Sequence, residues 1–224
     1  MADYEEQTAS KKLAGFIEKR KVAFITILVV LVCLLVGYII FASVANSNKV
    51  KGLQAIDEIT FEMTDKSSGL SDDEIAARLN TGLEKAGAYT KKGGIVGARA
   101  NMLCADITYQ QKKYAESAEY WKAAAEKSKK SYIAPLCYFN LAACLEETGN
   151  NEEAATYYKL AADNNSFVMR THAMFSYGRL LEAKGDYATA AAAYTELNDN
   201  FSGDSWADLA KSRLIALKKD GKIE

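Results

Sequence analysis

Two stretches decide the fold: LAACLEETGNNEEAATYYKLAA at residues 141–162, and YGRLLEAKGDYATAAAAYTELN at residues 177–198. They align without a gap, and each carries a small residue, Ala142 or Gly178, at its second position. A second alanine follows twelve residues later in both stretches, and a tyrosine follows four residues after that. A glycine followed by Asn150 divides the first stretch, and a glycine followed by Asp186 divides the second. The glycine relieves the left-handed conformation past the end of one helix, and the Asn or Asp is predicted to cap the next helix. Each stretch therefore predicts a pair of helices.

A third copy lies one repeat upstream. It begins at Cys104-Ala105 and has Ser117 at the small-residue position and Trp121 at the ring position. Its turn, residues 111–114, lacks the glycine of the other copies. Copies at intervals of 37 and 36 residues predict stacked pairs, in which small residues let two helices approach and a large ring fills the space towards the next pair. An ordinary antiparallel bundle with alanine-rich faces is the alternative.

This pattern resembles the tetratricopeptide repeat, whose family pattern is W-x2-L-G-x2-Y followed by A-x3-F in about 34 residues. The matching residues of the second and third copies are Tyr138, Leu141, Ala142, Leu145, Ala154, Tyr158, Met174, Tyr177, Gly178, Leu181, Ala190 and Tyr194. A final half-repeat begins with Trp206-x2-Leu209-Ala210 and would cap the stack. The resemblance covers about residues 98–219 and implies an all-α chain containing an α-solenoid of about three repeats plus a capping helix.

The segment before the repeats is also predicted to be helical. Apolar residues recur on one helix face over residues 53–63. Ser71 and Glu74 have the spacing of a capping box ahead of a further apolar face. We therefore interpret residues 49–64 and 72–90 as a diverged first helical pair.

The longest apolar run of the chain covers residues 22–45. As a helix, its 24 uncharged residues would extend roughly 36 Å, enough to cross a hydrocarbon core of about 30 Å. Five basic residues lie within residues 11–21, whereas only Lys49 and Lys51 follow the run closely. The positive-inside rule therefore predicts a single-pass anchor, with the N-terminus in the cytoplasm and the C-terminal domain on the extracytoplasmic side.

A cleaved signal peptide is the competing interpretation of this run. Ser43-Val44-Ala45 has the small residues of a cleavage site. The apolar region of a signal peptide is typically about 7–15 residues, which is shorter than this run, so we predict an uncleaved anchor. Cys33 follows Leu-Val without the small residue that lipoprotein processing requires, so a lipid anchor at this cysteine is not expected.

The composition excludes several classes of function. The 28 basic and 29 acidic residues nearly cancel, so no polycationic surface for nucleic acid is expected. His172 is the one histidine, which excludes a histidine-rich metal site, and no nucleophile motif such as G-x-S-x-G accompanies it. Residues 93–97 are glycine-rich but lack the lysine of a phosphate-binding loop. We therefore predict a protein that is not an enzyme and uses no cofactor and no metal.

Two features leave alternatives open. Cys137 and Cys144 lie two turns apart on one predicted helix, roughly 10 Å, which is too far for a disulfide. Cys104 is one repeat away and could pair with either in an oxidising space, while small buried thiols are the alternative for all three. The lysine run in residues 127–130 marks either a solvated helix end or a contact to phosphate or lipid.

The repeat resemblance also implies a binding surface, because tetratricopeptide solenoids expose the first helix of each pair, helix A, on a concave face. The groove positions of the family carry these residues: Arg99, Met102, Asp106, Tyr109, Leu136, Phe139, Glu146, His172, Phe175 and Arg179. Met102, Phe139 and Phe175 are equivalent and would form an apolar stripe, and the two arginines with Glu146 would orient an extended or helical peptide. The alternative is that these rings pack against the first helical pair.

A charged N-terminal tail, one span and an exported repeat domain together resemble a bacterial inner-membrane family. Its best-known member is the ancillary subunit of the Sec translocon, which also associates with periplasmic chaperones. This resemblance implies a membrane-tethered protein-interaction scaffold on the periplasmic side, assisting protein translocation or envelope chaperone traffic. Its partners would be the translocon, chaperones or exported clients.

Residues 194–214 also resemble repeats of the Tol–Pal-linked division coordinator and of the outer-membrane assembly lipoprotein. The alternative function is therefore a structural or coordinating role in cell division or outer-membrane assembly, exerted through homo-oligomerisation of the repeats.

The predicted segments are a cytoplasmic tail at 1–21, a transmembrane helix at 22–45, a linker with the diverged pair at 46–97, the repeat domain at 98–219 and a C-terminal tail at 220–224.

Overall fold

The computed structural model describes residue 11 and residues 14–224, so residues 1–10, 12 and 13 of the predicted cytoplasmic tail lie outside the described residues. The described part of the chain is helical and contains no β-strand, which confirms the predicted all-α fold. The helices are α1 (Lys21–Thr64), α2 (Asp72–Gly87), α3 (Gly94–Gln110), α4 (Tyr114–Ser128), α5 (Ala134–Glu147), α6 (Asn151–Ala162), α7 (Arg170–Lys184), α8 (Tyr187–Asn200) and α9 (Ser205–Lys219).

The chain divides into two units, Met1–Lys51 and Gly52–Glu224, and α1 passes through the boundary between them. Within the first unit, the side chains of residues 22–45 are apolar or uncharged, and they are exposed. This part of α1 is long and apolar enough to cross a membrane by length and composition, a property that membrane spans and signal sequences share.

The second unit is built from successive helices that pack on their neighbours in sequence. Helices α3 and α4, α5 and α6, and α7 and α8 form three helical pairs, and α9 packs against both α8 and α7. These are the three predicted repeats and the capping helix. In this arrangement α3, α5, α7 and α9 are the A helices, whereas α4, α6 and α8 are the second, or B, helices.

The predicted small residues are the points of closest helix approach. Ala105 and Ala142 are fully buried, and a Cβ added at Gly178 would lie 2.6 Å from Cε1 of Tyr194. In the first pair, the Ser117 hydroxyl donates a hydrogen bond of 2.8 Å to the Ala105 carbonyl across the same contact. The small residue on helix A therefore sets how near helix B can lie, because real side chains do not tolerate such short contacts.

The ring positions lie in the core, as predicted. Trp121, Tyr158 and Tyr194 are all buried in one continuous cluster that runs through the three pairs. Burying a large ring removes much apolar surface from water, at roughly 25 cal/mol per Å², so these three residues are major contributors to the stability of the solenoid.

The turns between helices A and B have the predicted glycine conformation in the second and third pairs, and the predicted helix cap in the third. Gly149 and Gly185 have φ values of 78° and 87°, the left-handed conformation that glycine adopts without steric cost. Asp186 caps α8, because its carboxylate accepts a hydrogen bond of 3.2 Å from the Thr189 amide.

Asn150 does not cap α6, contrary to the prediction from its position. Its side-chain amide donates a hydrogen bond of 3.0 Å to the Thr148 hydroxyl instead, so that no side chain caps the first turn of α6. The turn of the first pair lacks glycine, and Lys112 takes the left-handed conformation there with φ 60°. A residue with a Cβ is sterically strained in this region, so the degenerate turn is less favourable than the two glycine turns.

The helices before the repeats pack onto the first pair. The Ser71–Glu74 capping box is confirmed: the Ser71 amide donates to the Glu74 carboxylate at 2.9 Å, and the Glu74 amide donates to the Ser71 hydroxyl. In α1, Ile56 is buried in a small cluster with Val96 and Ala100 of α3. The C-terminal part of α1 thus covers the beginning of the solenoid.

Three of the four cysteines are buried free thiols. Burial raises the pKa of Cys104 to about 12 and that of Cys137 to about 11. It also raises the pKa of Cys144, whose thiol donates a hydrogen bond of 3.3 Å to Ser117. Because the thiolate is the reactive form, all three side chains are held in an unreactive state.

We expect a Cys33→Ser chain in detergent at pH 8 to resist thiol reagents until it is unfolded. Burial and the raised thiol pKa values keep Cys104, Cys137 and Cys144 protonated and inaccessible. Mass spectrometry after maleimide treatment should find no label on the folded chain and three labels after treatment in guanidinium chloride. Rapid labelling of the folded chain, or fewer than three labels after unfolding without reductant, would contradict this expectation.

Candidate functional site

The predicted groove residues lie on the A helices α3, α5 and α7, and we call the surface that they form the A-helix face. Some of them also contact rings of the B helices, since Phe139 meets Tyr158 and Phe175 meets Tyr194. On α3 and on α7, the exposed or half-buried members are three or four residues apart, so they lie on one side of each helix. The members with at least part of their side chain open to solvent are Arg99, Met102, Asp106, Tyr109, Leu136, Glu146, His172, Phe175 and Arg179. Phe139 is the exception, since its side chain is only 7 % exposed.

Four rings of this face form a continuous aromatic row across three A helices. Phe139 of α5 meets His172 of α7 edge-to-face at 4.9 Å between ring centroids. His172 stacks on Trp206 of α9 at 3.8 Å, with only 7° between the ring planes, and Trp206 then meets Phe175 at 5.4 Å. Such ring pairs add about 0.5–1.5 kcal/mol each beyond the apolar area that they bury. The row therefore joins the second and third pairs to the capping helix.

The surroundings of His172 favour its neutral form. Burial between the two rings lowers its pKa, and the nearby Arg179 guanidinium lowers it further, while Glu146 acts in the opposite direction. A neutral imidazole stacked between carbon rings serves as a packing group. No nucleophile or carboxylate forms a hydrogen bond with it within the described residues.

Glu146 and Arg179, both predicted to meet a ligand, meet each other in the structure. The guanidinium of Arg179 binds both carboxylate oxygens of Glu146, at 2.6 and 2.8 Å. Tyr158 lies beneath this pair, and burial, followed by the Glu146 carboxylate, raises its pKa. The pair bridges the second and third repeats, so its first role is to join neighbouring A helices.

The same arrangement recurs one repeat later. Glu182 of α7 accepts hydrogen bonds from the Arg213 guanidinium of α9 and, at 3.0 Å, from the Tyr194 hydroxyl. The Arg213 guanidinium, and then the Tyr194 hydroxyl, hold the pKa of Glu182 below its usual range. A Glu on one A helix, an Arg on the next and a Tyr on the intervening B helix thus form a repeated inter-repeat clasp.

Arg99 is also engaged within the chain. Its guanidinium forms an ion pair of 2.7 Å with Asp57 in the C-terminal part of α1. The three charges that the sequence assigned to peptide orientation, Arg99, Glu146 and Arg179, therefore all have partners inside the second unit.

Asp106 differs from these charges. Its carboxylate is exposed on α3 and forms no ion pair or hydrogen bond within the described residues. The surrounding protein removes part of its hydration, which raises its pKa to about 6. Tyr109, 38 % exposed, lies one turn further along α3 and packs edge-to-face on Tyr114 at 5.1 Å. The A-helix face of the first repeat thus presents an unpaired acid beside an apolar ring.

We expect Asp106→Asn to stabilise the fold at neutral pH. The folded-state pKa of about 6 lies above the reference value of 3.8, so ionisation opposes folding increasingly as the pH rises between these values and by a constant amount above them. Because the exposed side chain keeps much of its hydration, the gain at pH 7 should be up to about 1 kcal/mol.

Thermal unfolding followed by circular dichroism from pH 3.5 to pH 7 measures this effect. The difference between Asp106→Asn and the unchanged chain should be absent at the acidic end and should grow towards neutral pH. Glu153→Gln, at an exposed position of α6, is the control and should leave the profile unchanged. A difference that grows as the pH falls would show that the sign is wrong.

Two residues of this face, Trp206 and Arg213, are not assigned to it from the sequence. Trp206, expected only as part of the cap, occupies the α9 position equivalent to His172 and completes the aromatic row. Arg213 completes the second clasp. Each residue follows its α7 counterpart, His172 or Arg179, by 34 positions, whereas the cap pattern aligns Trp206 with Met174 at an offset of 32. The repeat pattern in the sequence therefore does not assign these two equivalences.

A second concave surface is formed by residues of α6 and α7. A cleft of about 730 Å³ separates α6 from α7, with Leu160, Tyr177 and Leu181 among its apolar lining residues. An ion pair of 2.6 Å between Lys184 and Glu152 lies at its rim. No sequence pattern predicts this cleft, because it depends on how far apart two neighbouring pairs lie.

Comparison with known proteins places these observations in a family. The sequence profile of the tetratricopeptide repeat-like domain matches residues 16–220. A TPR repeat-containing protein of Treponema pallidum (strain Nichols) is 35% identical over 150 residues, which cover 67% of this chain. The matched region spans 61% of the length of that relative.

The fold is also that of a solved tetratricopeptide structure. Nearly identical TPR-like repeats of a kinesin light chain from Podospora anserina superpose with a TM-score of 0.56 at 11% sequence identity. The superposition covers 75% of this chain and 86% of the other. The profile match over most of the sequence and the identity to the Treponema protein together lead to one conclusion: the chain belongs to the tetratricopeptide repeat-like domain family.

Proposed function

We propose that the protein is a membrane-tethered scaffold that holds a protein partner on its A-helix face and performs no bond chemistry. The observation that carries this proposal is the contrast among the charges of that face. Arg99, Glu146 and Arg179 are paired within the chain, whereas Asp106 is exposed and unpaired within the described residues. Tetratricopeptide domains generally mediate protein–protein interaction, and this face offers an acid that lacks an internal counter-ion.

The chemistry of Asp106 indicates what its partner presents. A partly desolvated carboxylate gains most from a cation, because a Lys or Arg side chain replaces the lost hydration with a charge-assisted hydrogen bond. Met102 and Tyr109, on the same face of α3, would contact the aliphatic part of that side chain. The partner segment is therefore a peptide with a basic residue as its anchor.

The apolar part of α1 would supply the tether. Residues 22–45 are long enough to span a bilayer, and the basic residues before them favour an N-terminus in the cytoplasm. Tethering confines the A-helix face to a thin layer, which raises its effective concentration towards partners near the membrane. The site of action would be the periplasmic side of the inner membrane, with translocon subunits, chaperones or exported clients as partners.

N-terminal sequencing of the mature chain distinguishes an anchor from a signal peptide. We expect the chain to retain its N-terminal residues and to remain in the membrane fraction after carbonate extraction, because an uncleaved helix of this length inserts stably. A mature chain that begins at Asn46 and is recovered in the soluble fraction would replace the tether with secretion.

A pull-down of the full chain in detergent, washed at high salt, tests the scaffold itself. A specific second protein that remains bound supports the proposal. Recovery of the bait alone, as a defined oligomer, would favour the alternative of a structural or coordinating envelope protein that acts through its own repeats.

A further inference from the structure

The turns that lead into the A helices lie at one edge of the second unit. Consecutive helices in a stack of helical pairs run in opposite directions, so every B-to-A turn lies at the same end of the helices. Residues 88–93, which connect α2 to α3, lie at this end together with the B-to-A turns at residues 129–133, 163–169 and 201–204, and we call these four turns the proximal edge. The A-to-B turns, including residues 65–71 and 111–113, form the distal edge.

The second unit begins at its proximal edge. Gly52, its first residue, packs against Val96 in the first turn of α3, where an added Cβ would lie 2.7 Å from Cγ1 of Val96. Gly52 therefore lies at the same end of the helices as residues 88–93.

The chemistry of the two edges differs. The first two proximal turns contain four exposed lysines and no acidic residue: Lys91, Lys92, Lys129 and Lys130. The other two turns each contain an aspartate that is already engaged, because Asp163 pairs with Lys159 and Asp204 caps α9. No ion pair engages any of the four within the described residues. The distal turns mix acids with lysines, and within the part of the chain that the structure describes they expose no large apolar side chain.

Two apolar side chains project from the second and third proximal turns. Tyr132 is 85 % exposed and Val168 is 96 % exposed, the highest values among the large hydrophobic residues described. Neither side chain contributes to the buried core. Lysines beside exposed tyrosine and aliphatic side chains are the combination that settles at a lipid headgroup layer, where rings lie at the interface and ammonium groups meet phosphate.

We propose that the proximal edge docks on the surface of an anionic lipid bilayer. This inference rests on the proposed membrane tether, since only residues 46–51 separate the apolar run from Gly52. As a helix these six residues extend about 9 Å, close to the Debye length of about 10 Å at 0.1 M salt. The tether would therefore keep Gly52, the first residue of the second unit, within the range of the field of anionic headgroups.

The docking would orient the scaffold. With its proximal edge on the lipid, the second unit would keep the A-helix face free for a partner. A partner would then reach Asp106 along the membrane surface.

Tryptophan quenching in lipid nanodiscs tests this contact on the full chain. A Tyr132→Trp chain is placed in nanodiscs of phosphatidylcholine with phosphatidylglycerol, with and without brominated acyl chains that quench nearby tryptophan. The control is Ser68→Trp, at an exposed position of the distal edge. Emission of the unchanged chain, which comes from Trp121 and Trp206, is subtracted. We expect the tryptophan introduced at position 132 to lose its emission and the one introduced at position 68 to keep it.

A charge-neutralising variant tests the role of the lysines. We expect K91Q/K92Q/K129Q/K130Q, made in the Tyr132→Trp chain, to restore most of the emission from position 132, because each lysine near an anionic surface strengthens association roughly fivefold. The docked fraction should fall at least about tenfold at 0.1 M salt, since screening weakens the four contributions. The matched control removes four distal lysines, K113Q/K218Q/K219Q/K222Q, and should leave the quenching unchanged.

The outcomes separate the docking from the tether. Unquenched emission from position 132 in a chain that resists carbonate extraction would overturn the docking while the tether stands. A chain that carbonate extracts would overturn the tether and, with it, the docking. Equal quenching in pure phosphatidylcholine, or quenching that survives the proximal substitutions, would show that anionic lipid is not the ligand of this edge.

Discussion

A Gly178→Leu chain is expected to lose its folded third repeat. A Cβ at this position would lie 2.6 Å from Cε1 and 2.9 Å from Cδ1 of Tyr194. The ring cannot move aside, because it is fully buried and its hydroxyl is held by Glu182 at 3.0 Å. Leucine must therefore push α7 and α8 apart, at a cost of about 3 kcal/mol or more.

Guanidinium unfolding of the full chain in detergent, followed by circular dichroism, measures this cost. The matched control is Gly87→Leu at the end of α2, where an added Cβ meets no atom within 4 Å. The control should unfold at nearly the same denaturant concentration as the unchanged chain. Equal midpoints for the two variants would mean that the small residue does not set the spacing of the helical pairs.

An Asp106→Lys chain is expected to lose its protein partner while remaining folded. The exposed carboxylate is proposed to receive a cation of the partner, so a lysine there both removes the attraction and adds repulsion. We expect affinity to fall about a hundredfold, and Asp106→Asn to lower it about tenfold, in line with measured effects of interfacial charges.

Quantitative pull-down at fixed salt compares these chains. Glu153→Lys makes the same charge change at an exposed position of α6, outside the A-helix face, and should bind the partner normally. Thermal unfolding confirms that each variant is folded. Undiminished recovery of the partner by Asp106→Lys would remove Asp106 from the binding surface.

Much of the fold follows from local chemistry, which explains why the sequence predicts it. Close packing requires small residues at Ala105, Ala142 and Gly178, so the sequence contains a repeating pattern of small residues. The buried rings form a second pattern in the sequence with the same spacing. The capping box at Ser71 and Glu74 is also local, because its bonds close within one helical turn. These features need no knowledge of how the pairs stack.

The charges of the A-helix face could not be assigned in the same way. The repeat register places Glu146 and Arg179 on one face but does not say that their side chains meet, because that depends on the distance between α5 and α7. The pairing of Arg99 with Asp57 joins residues from different helical pairs and has the same cause. Phe139 is likewise buried by rings that only the stacking of the pairs brings around it, Tyr158, Phe167 and His172.

The repeated clasp explains why pairing does not remove the A-helix face from function. In both clasps the arginine side chain is exposed, whereas the glutamate side chain is only 21 % exposed in Glu146 and 13 % exposed in Glu182. Their positions keep neighbouring A helices in register, and this register fixes the surface on which Asp106 is presented. The clasps of the second and third repeats therefore stabilise the A-helix face, whereas Asp106 in the first repeat is proposed to bind the partner.

Photo-crosslinking in intact cells tests the scaffold most directly. A photo-reactive residue replaces Tyr109 on the A-helix face, and the control replaces Thr195, an exposed residue of α8. We expect position 109 to give an adduct with a different protein in the membrane fraction, and position 195 to give none. Adducts only between copies of this chain, or equal adducts at both positions, would contradict a partner-binding A-helix face.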